Sequence, residues 1–296
     1  MRTEAAGSMA CLLCGGRALA SAFYPPLVRC RDCGLVFRDV PDGGEQAARG
    51  FDEVYRRADA DRLVQERRAV LYAEFLARHA PAPGRSRLLD VGCGTGAFLE
   101  QARRAGWSVL GLEVAEAAVE AGRAAGIPMR VGSLTGAALP PSSFDVVTLW
   151  NVLDFLRDPL GELRAARSVL RGGGLLMVRV GNLRFHSLLD RSARLLGFCA
   201  PMARALQRQC FFSQASFDAR TLRALLERAG FEDVTVTNSR PSDGDPYGTL
   251  PRRTEAAARA VKRGVHLVVR AIAAGSRGRL LLGSSLSATA LKGGAT

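Results

Sequence analysis

Residues 88–96, which read LLDVGCGTG, constrain the fold of this chain more than any other segment. A short apolar run ends around Asp90, and three glycines follow at alternate positions before an amphipathic stretch begins. Gly92 and Gly94 allow the backbone to pass close beneath a ligand, and Gly96 permits tight contact between a strand and a helix. The segment therefore predicts a strand, a ligand-binding turn and a helix in succession.

After residue 86 the sequence alternates between short apolar runs and amphipathic stretches, a rhythm typical of α/β domains. The strands are predicted at 87–91, 108–113, 129–131, 144–149, 175–180, 234–238 and 284–291, and the helices at 96–105, 116–125, 159–170 and 219–229. A further helix is predicted at 59–79, before the first of these strands. Two segments, 182–216 and 240–283, interrupt the alternation and are predicted to be insertions.

Two carboxylates near the glycine turn indicate which ligand it takes. Glu113 ends the second predicted strand, about twenty residues after the turn, where a carboxylate can accept hydrogen bonds from both hydroxyls of a ribose. Asp90 directly precedes the glycines, which is unfavourable beside a pyrophosphate and favourable beside a cationic sulfonium. This charge pattern favours S-adenosylmethionine over NAD as the bound nucleoside.

Residues 88–96 resemble motif I of class I S-adenosylmethionine-dependent methyltransferases, which read close to LLDVGCGTGxFL. The resemblance extends from about Leu88 to Phe231. It includes NVLD at 151–154, where relatives often have HVLEH, the turn LRGGG at 170–174, and TLRALLERAGF at 221–231. It implies the Rossmann-like fold of that class, an α/β domain with a seven-stranded, mostly parallel sheet spanning 87–296.

The resemblance also implies which residues contact the cofactor. The methionine end is implied to contact Asp90, Gly92, Gly94, Asn151 and Val152, and Gly96 is the third glycine of the same turn. The ribose is implied to contact Glu113. The adenine is implied to contact Val114, Ser133 and Leu134. Many relatives have Asp where this chain has Ser133, so one hydrogen bond to the adenine is not implied here.

Four cysteines near the N-terminus, Cys11, Cys14, Cys30 and Cys33, form two C-x2-C pairs, each followed by a glycine. No secretory leader is predicted at the N-terminus, so the thiols are expected to stay reduced and to bind metal. Two such pairs can present four thiolates tetrahedrally to Zn2+. The sequence predicts a zinc ribbon at 1–40 with a structural metal, followed by a linker and helix at 41–86. A redox role for either pair is the alternative.

No catalytic residue can be assigned from the sequence. Methyl transfer requires orientation and desolvation, and a base only when the nucleophile needs one. Asp154, just after the fourth predicted strand, and His186, after the fifth, are candidates for that base. The alternatives are a helix cap or surface carboxylate for Asp154 and an ordinary surface histidine for His186.

The two insertions follow the fifth and sixth strands, whose carboxyl ends border the ligand edge of a parallel sheet. They are therefore predicted to cover the substrate. In 254–274, an apolar stripe at helical spacing lies opposite a basic stripe, which suggests peripheral contact with an anionic membrane. The apolar stripe comprises Val261, Val265, Val268 and Ile272, and the basic stripe Arg259, Arg263, His266 and Arg270. Packing of the apolar stripe against the domain is the alternative. No membrane-spanning segment is predicted, so the expected location is cytoplasmic, with contact at the membrane surface as a variant.

Three functions compete at this stage. The first is methyl transfer to a small-molecule acceptor such as a sugar, glycolipid or secondary metabolite. The second is RNA methylation, suggested by the zinc ribbon and the net charge of +13, although the aromatic stacking surface and Asn-Pro-Pro-aromatic loop of base-methylating enzymes are missing. The third is a non-catalytic adaptor that binds a partner protein through its ribbon, which would not need the glycine turn or Glu113.

Overall fold

The computed structural model describes residues 10–23, 26–39, 58–195, 213–242 and 252–294. The strands are β1 (Leu19–Ser21), β2 (Leu27–Cys30), β3 (Val36–Arg38), β4 (Arg87–Val91), β5 (Ser108–Glu113), β6 (Met129–Val131), β7 (Phe144–Trp150), β8 (Leu170–Gly181), β9 (Ala215–Ser216), β10 (Phe231–Asn238) and β11 (Ser285–Lys292). The helices are α1 (Ala58–Arg78), α2 (Ala97–Arg104), α3 (Glu116–Ala124), α4 (Pro159–Val169), α5 (Leu183–Leu195), α6 (Ala219–Arg228) and α7 (Arg252–Gly275). The linker predicted between the ribbon and α1 falls almost entirely outside the described residues.

The larger sheet has seven strands in the order β10-β11-β8-β7-β4-β5-β6. Strands β4 to β8 pair with one another in parallel. Strand β11 lies antiparallel between β8 and β10, so β10 runs in the same direction as the parallel strands. This arrangement confirms the predicted Rossmann-like, mostly parallel sheet, and it places the carboxyl ends of six strands at one edge.

Helices cover both faces of this sheet because its strands alternate apolar side chains between two cores. Val146 of β7 packs in a cluster with α1, α2 and α3, whereas the next residue, Val147, packs in a second cluster with α4 and α6. The first cluster contains an aromatic group in which Tyr72 and Phe75 of α1 contact Phe98 and Trp150.

Strand β8 begins earlier than the sequence predicted. The glycine-rich stretch 170–174 was expected as a turn before the strand, but the structure pairs it with β7. The register shifts between the pair Phe144–Leu170 and the pair Val146–Leu175, so extra residues bulge from β8. Gly173 lies within the bulge with a φ of +69°, a conformation that favours glycine.

The N-terminal ribbon forms an antiparallel sheet in the order β1-β2-β3-β9. Each cysteine knuckle closes with a backbone hydrogen bond: the N–H of Gly15 donates to Cys11 O at 2.8 Å, and that of Gly34 to Cys30 O at 3.0 Å. Both glycines have positive φ, as their positions after the cysteines predict.

The ribbon is joined to the α/β domain and does not form a separate body. Strand β9, at the end of the first insertion, supplies the fourth strand of the ribbon sheet, and its Ala215 pairs with Phe37. The guanidinium of Arg220 in α6 donates to the carbonyl of Cys33. Leu35 and Phe37 are fully buried in the same cluster as α4 and α6. The end of the segment predicted as a substrate cover thus belongs to the ribbon sheet.

Helix α7 corresponds to the predicted amphipathic segment 254–274, but it does not bury the apolar stripe that the sequence singled out. Val265 and Val268 are 43% and 59% exposed, and Val269, one position along, is buried instead. The side chains of Val261 and Arg259 from the predicted stripes lie outside the described ones. Within the described parts of the chain, no helix has both the length and the apolar character needed to cross a bilayer.

Candidate active site

The predicted cofactor residues follow the carboxyl ends of four adjacent strands. The order of these strands in the sheet is β7-β4-β5-β6. Asn151 and Val152 follow β7, and Gly92, Gly94 and Gly96 follow β4. Val114 follows β5, and Ser133 and Leu134 follow β6. Asp90 and Glu113 lie in the last two residues of β4 and β5. Because parallel strands end at the same edge, the fold brings all ten predicted residues to one edge of the sheet.

The glycine turn passes directly beneath the segment that follows β7. Gly92, Gly94 and Gly96 all have positive φ, at +67°, +54° and +89°. A Cβ on Gly92 would lie 2.3 Å from Cγ2 of Val152, and a Cβ on Gly96 would lie 2.8 Å from Cδ1 of Ile127. The turn therefore requires glycine for both its backbone conformation and its close packing.

The carboxylate of Asp90 is buried beneath the turn. It accepts a hydrogen bond of 2.6 Å from the hydroxyl of Thr148, which lies opposite it in β7. Burial raises the pKa of Asp90 to about 8; the Thr148 hydrogen bond opposes this rise and the charge of Glu113 adds to it. A cation placed beside Asp90 would favour its ionised form.

Glu113 connects the end of β5 to the glycine turn. Its Oε2 accepts from the N–H of Gly94 at 3.0 Å, and its Oε1 accepts from the N–H groups of Val114 and Ala115 at 2.8 and 3.1 Å. Each carboxylate oxygen can accept more than one hydrogen bond, so Glu113 can hold the turn and still accept from a ligand hydroxyl.

The predicted adenine end combines exposed and buried residues. Val114 is 44% exposed, and Leu134 is buried. The N–H of Leu134 donates to Oε2 of Glu162 at 3.1 Å, and this buried carboxylate also accepts from the Thr135 hydroxyl at 2.6 Å. The Ser133 hydroxyl contacts that of Thr135 at 3.1 Å. Glu162 thus holds the two residues that follow Ser133.

Arg179 holds Asn151 in an uncommon conformation. Asn151 has a φ of +58°, which is rare outside glycine and tolerated by asparagine. The buried guanidinium of Arg179 donates to Oδ1 of Asn151 and, at 2.9 Å, to the hydroxyl of Ser239. Arg179, near the end of β8, thereby links the residues that follow β7 and β10 at the ligand edge.

Asp154 is neither the helix cap nor the surface carboxylate that the sequence offered as alternatives. Only 8% of Asp154 is exposed, and the N-cap of α4 is Asp158. Among the described residues, no group forms a hydrogen bond with its buried Oδ1. Burial raises the pKa of Asp154 to about 6, against the opposing effects of the Gly181 N–H and of the charges on Arg68 and Arg179.

His186 lies close to Asp154 across Gly181. A Cβ on Gly181 would lie 3.2 Å from Cε1 of His186 and 4.0 Å from Oδ2 of Asp154. Burial lowers the pKa of His186 to about 4, so its imidazole is neutral at physiological pH. The two base candidates named from the sequence therefore face the same small region at the end of β8.

Thr148, Arg179 and Tyr72 were not predicted from the sequence. Thr148 and Arg179 are polar residues flanked on both sides by apolar ones in buried strands, and this contrast is a signal in the sequence. Tyr72 lies in an apolar stretch of α1, and burial raises its pKa to about 12, with smaller effects from Arg68 and Asp90. Their partners come from distant parts of the chain, so only the fold reveals their roles.

The four N-terminal cysteines form a cluster of suitable size for a metal ion. Their sulfur atoms all lie within 4.8 Å of one another, with Cys11 Sγ 3.4 Å from Cys33 Sγ and Cys14 Sγ 3.5 Å from Cys30 Sγ. Four thiolates around Zn2+ at about 2.3 Å would lie roughly 3.8 Å apart, within this range. The N–H of Gly16 also points to Cys14 Sγ at 3.4 Å, as it would toward a thiolate. Cys199 and Cys210 lie outside the described residues.

Two comparisons with known proteins bear on the family and the fold of the chain. Residues 64–236 match the family model described as "Methyltransferase domain". A crystal structure of an S-adenosylmethionine-dependent methyltransferase from Thermotoga maritima superposes with a TM-score of 0.53 at 19% identity, covering 82% of this chain and 97% of that one. At this identity the match shows the fold alone.

The curated proteins to which the chain is similar include ubiquinone biosynthesis O-methyltransferases from several bacteria. The protein from Xanthomonas campestris is 35% identical over 116 residues, which is 37% of this chain and 48% of the relative. The protein from Ralstonia nicotianae is 32% identical over 131 residues, or 42% of this chain and 51% of the relative. The chain thus spans about half the length of these curated relatives.

Proposed function

Because the chain belongs to the methyltransferase-domain family, we propose that it transfers a methyl group from S-adenosylmethionine to a hydroxyl group of a small molecule. The observation that carries this proposal is the meeting of a glycine turn with two buried carboxylates, Asp90 and Glu113, at the carboxyl edge of the sheet. When bound there, S-adenosylmethionine supplies an electrophilic methyl group.

The residues at this edge are proposed to hold the nucleoside as the sequence implied. Glu113 accepts from the ribose hydroxyls while keeping its bond to the Gly94 N–H. Asp90 stabilises a neighbouring positive charge, because its burial strengthens electrostatic attraction. Val114, Ser133 and Leu134 contact the adenine. Arg179 positions Asn151 and thereby the segment beneath the methionine portion.

An oxygen acceptor is the best-supported choice of nucleophile. The matched relatives are named as O-methyltransferases, and a hydroxyl needs a base that thiols and amines can dispense with. Asp154 is proposed as this base: it follows β7 next to the methionine-binding segment, and its Oδ1 has no hydrogen-bond partner among the described residues. With S-adenosylmethionine bound, Asp154 would accept the hydroxyl proton as the oxygen bonds to the methyl group and the S–CH3 bond breaks, and neutral S-adenosylhomocysteine would be the leaving group.

We also propose that the ribbon binds one Zn2+ through Cys11, Cys14, Cys30 and Cys33. The sulfur cluster and the inward N–H of Gly16 support this ligand set. All four coordination positions are then taken by protein, so the metal is structural and does not bind substrate. The ribbon (1–40) and the segment 41–86 precede the catalytic domain 87–296, with insertions 182–216 and 240–283 bordering the acceptor.

Binding of S-adenosylhomocysteine to the purified protein, measured by calorimetry, tests the proposed function. We expect saturable binding at one site per chain, weakened about tenfold or more by Glu113→Gln, since the ribose loses a charged acceptor. The exposed Glu116→Gln, three residues further along, is the matched control and should bind as the wild type does. Absence of binding by the folded wild type would refute the assignment.

A further inference from the structure

A cleft of about 360 Å³ lies between the ribbon and helix α5, apart from the glycine turn. One wall comes from α5, where Arg184, Ser187, Leu188 and Arg191 line the cleft. These residues are spaced by three and four positions, so they share one face of the helix. The helix thus presents a stripe with a guanidinium at each end and a leucine between them.

The opposite wall comes from the ribbon. Arg29 of β2 lines the cleft, and its Nη1 donates to the carbonyl of Gly34 at 3.2 Å. This bond attaches the guanidinium to the second cysteine knuckle and leaves further N–H groups available. Three arginines from two parts of the chain therefore converge on one cavity, which we call the arginine cleft.

The positive charge of the arginine cleft is not balanced by its own residues. Asp218 is the single carboxylate among its lining residues. Oδ1 of Asp218 already accepts from the N–H and the hydroxyl of Thr221 at 2.8 and 2.9 Å, as the N-cap of α6. Within the described parts of the chain, neither Arg184 nor Arg191 forms an ion pair with a carboxylate. The cleft is therefore suited to an anion.

Apolar side chains complete the lining. Leu183, Leu188 and Leu282 border the cavity, and Leu188 is 49% exposed although it is a large apolar residue. A purely ionic ligand would leave Leu188 in water, whereas a ligand with an apolar portion beside its anionic group would cover it. Guanidinium groups bind carboxylate and phosphate oxygens through paired hydrogen bonds, so both anions fit this chemistry.

We propose that the arginine cleft binds a small amphiphilic anion, namely a carboxylate or phosphate monoester attached to an apolar group. Resting on the proposed function, we assign this ligand as the methyl acceptor. Leu183 begins α5 directly after β8 ends, and the same helix carries His186 toward Asp154. An acceptor anchored by its anionic end in the cleft would extend along α5 toward the carboxyl edge of the sheet.

Calorimetric titration of the zinc-loaded, full-length protein with decyl phosphate and decanoate tests the proposal. We expect saturable 1:1 binding of at least one of the two, weakened about tenfold or more by the double variant Arg184→Gln/Arg191→Gln. The control is Arg164→Gln/Arg228→Gln, which removes the same charge from exposed arginines of α4 and α6 outside the cleft. Thermal unfolding and S-adenosylhomocysteine binding of both double variants should match the wild type.

Two further titrations test separately the contribution of the apolar portion of the ligand and that of Leu188. Inorganic phosphate should bind more weakly than decyl phosphate, and Leu188→Asn should reduce only the latter's affinity. Equal affinity of the wild type and the variant Arg184→Gln/Arg191→Gln for the soluble anions would overturn the proposal. Binding to phosphatidylglycerol vesicles without binding to the soluble anions would also overturn it, because a bilayer surface would then be the ligand. Retained S-adenosylhomocysteine binding in either case leaves the proposed methyltransferase function standing.

Discussion

The hydroxyl of Thr148 donates a hydrogen bond of 2.6 Å to the buried carboxylate of Asp90, across two neighbouring parallel strands. The partner of Asp90 is thus a single polar residue in an otherwise apolar stretch of β7. This hydrogen bond favours the ionised form of Asp90, but burial has the larger effect, so the carboxyl of the ligand-free protein has a pKa of about 8. Asp90 therefore titrates near physiological pH.

We expect Asp90 to make the ligand-free protein less stable as pH rises. Its pKa is about 8 in the folded protein and about 3.9 in the unfolded chain. The folded state therefore binds more protons between these values, and the free energy of unfolding decreases across this window. The variant Asp90→Asn has no carboxyl at this position, so its stability lacks this pH dependence. Relative to the wild type, the variant should become progressively more stable from about pH 4 to about pH 8 and then level off, as measured by chemical denaturation.

The same experiment with ligand present provides the control. A sulfonium beside Asp90 favours its ionised form, so S-adenosylmethionine should lower the pH dependence of the wild type, and neutral S-adenosylhomocysteine should do so less. A constant difference in stability between wild type and variant across this pH range would contradict the buried, neutral state of Asp90.

Gly92→Ala should destabilise the protein and weaken cofactor binding. The new Cβ would lie 2.3 Å from Cγ2 of Val152, and the φ of +67° is unfavourable for alanine. Together these costs predict a loss of about 2–4 kcal/mol in the free energy of unfolding. Gly84→Ala is a matched control, because Gly84 has a φ of +71° and a Cβ added there would meet no described atom within 4 Å. It should lose only about 1 kcal/mol, and equal losses would argue against close packing of the turn on Val152.

Asp154 should determine the acid limb of the pH–rate profile. As a base it acts only when ionised, so with a pKa of about 6 the rate should rise with pH up to about that value and then level. Asp154→Asn should reduce kcat about 10²–10⁴-fold and remove this limb. His186, whose pKa is about 4, should not account for it, so His186→Gln should retain a limb near pH 6. A limb that persists in Asp154→Asn would exclude Asp154 as the base.

Removal of zinc should destabilise the ribbon and its junction with the catalytic domain. The purified protein is expected to contain one zinc per chain by elemental analysis, because four thiolates converge in the ribbon. Cys30→Ser should lower that content and expose the β3–β9 pairing to hydrogen exchange, since the metal would join the knuckle that precedes β3 to the rest of the ribbon. Cys93→Ser, at a buried cysteine outside the cluster, should keep its zinc. Unchanged exchange at Phe37 after metal removal would show that packing alone orders the ribbon.

The sequence by itself determined the features that depend on neighbouring residues. The alternation of apolar runs predicted the α/β sheet, and the spacing of Cys11, Cys14, Cys30 and Cys33 predicted a cluster that the structure assembles. The turn after Asp90 was predicted because glycine is the residue that tolerates positive φ, and all three of its glycines adopt it. In each case the relevant physical interaction is local, or repeats with the period of a strand or helix.

Only the tertiary structure decided which distant residues meet. Thr148 reaches Asp90, Arg179 fixes Asn151, and β9 completes the ribbon sheet, through pairings that join segments far apart in the chain. Burial of Asp154, which sets its pKa, likewise depends on the packing of several elements around it. In α7 the helical periodicity marked an apolar stripe, but contact with the sheet selected Val269 for burial instead. Such choices follow from packing of whole elements, and a one-dimensional pattern does not contain that information.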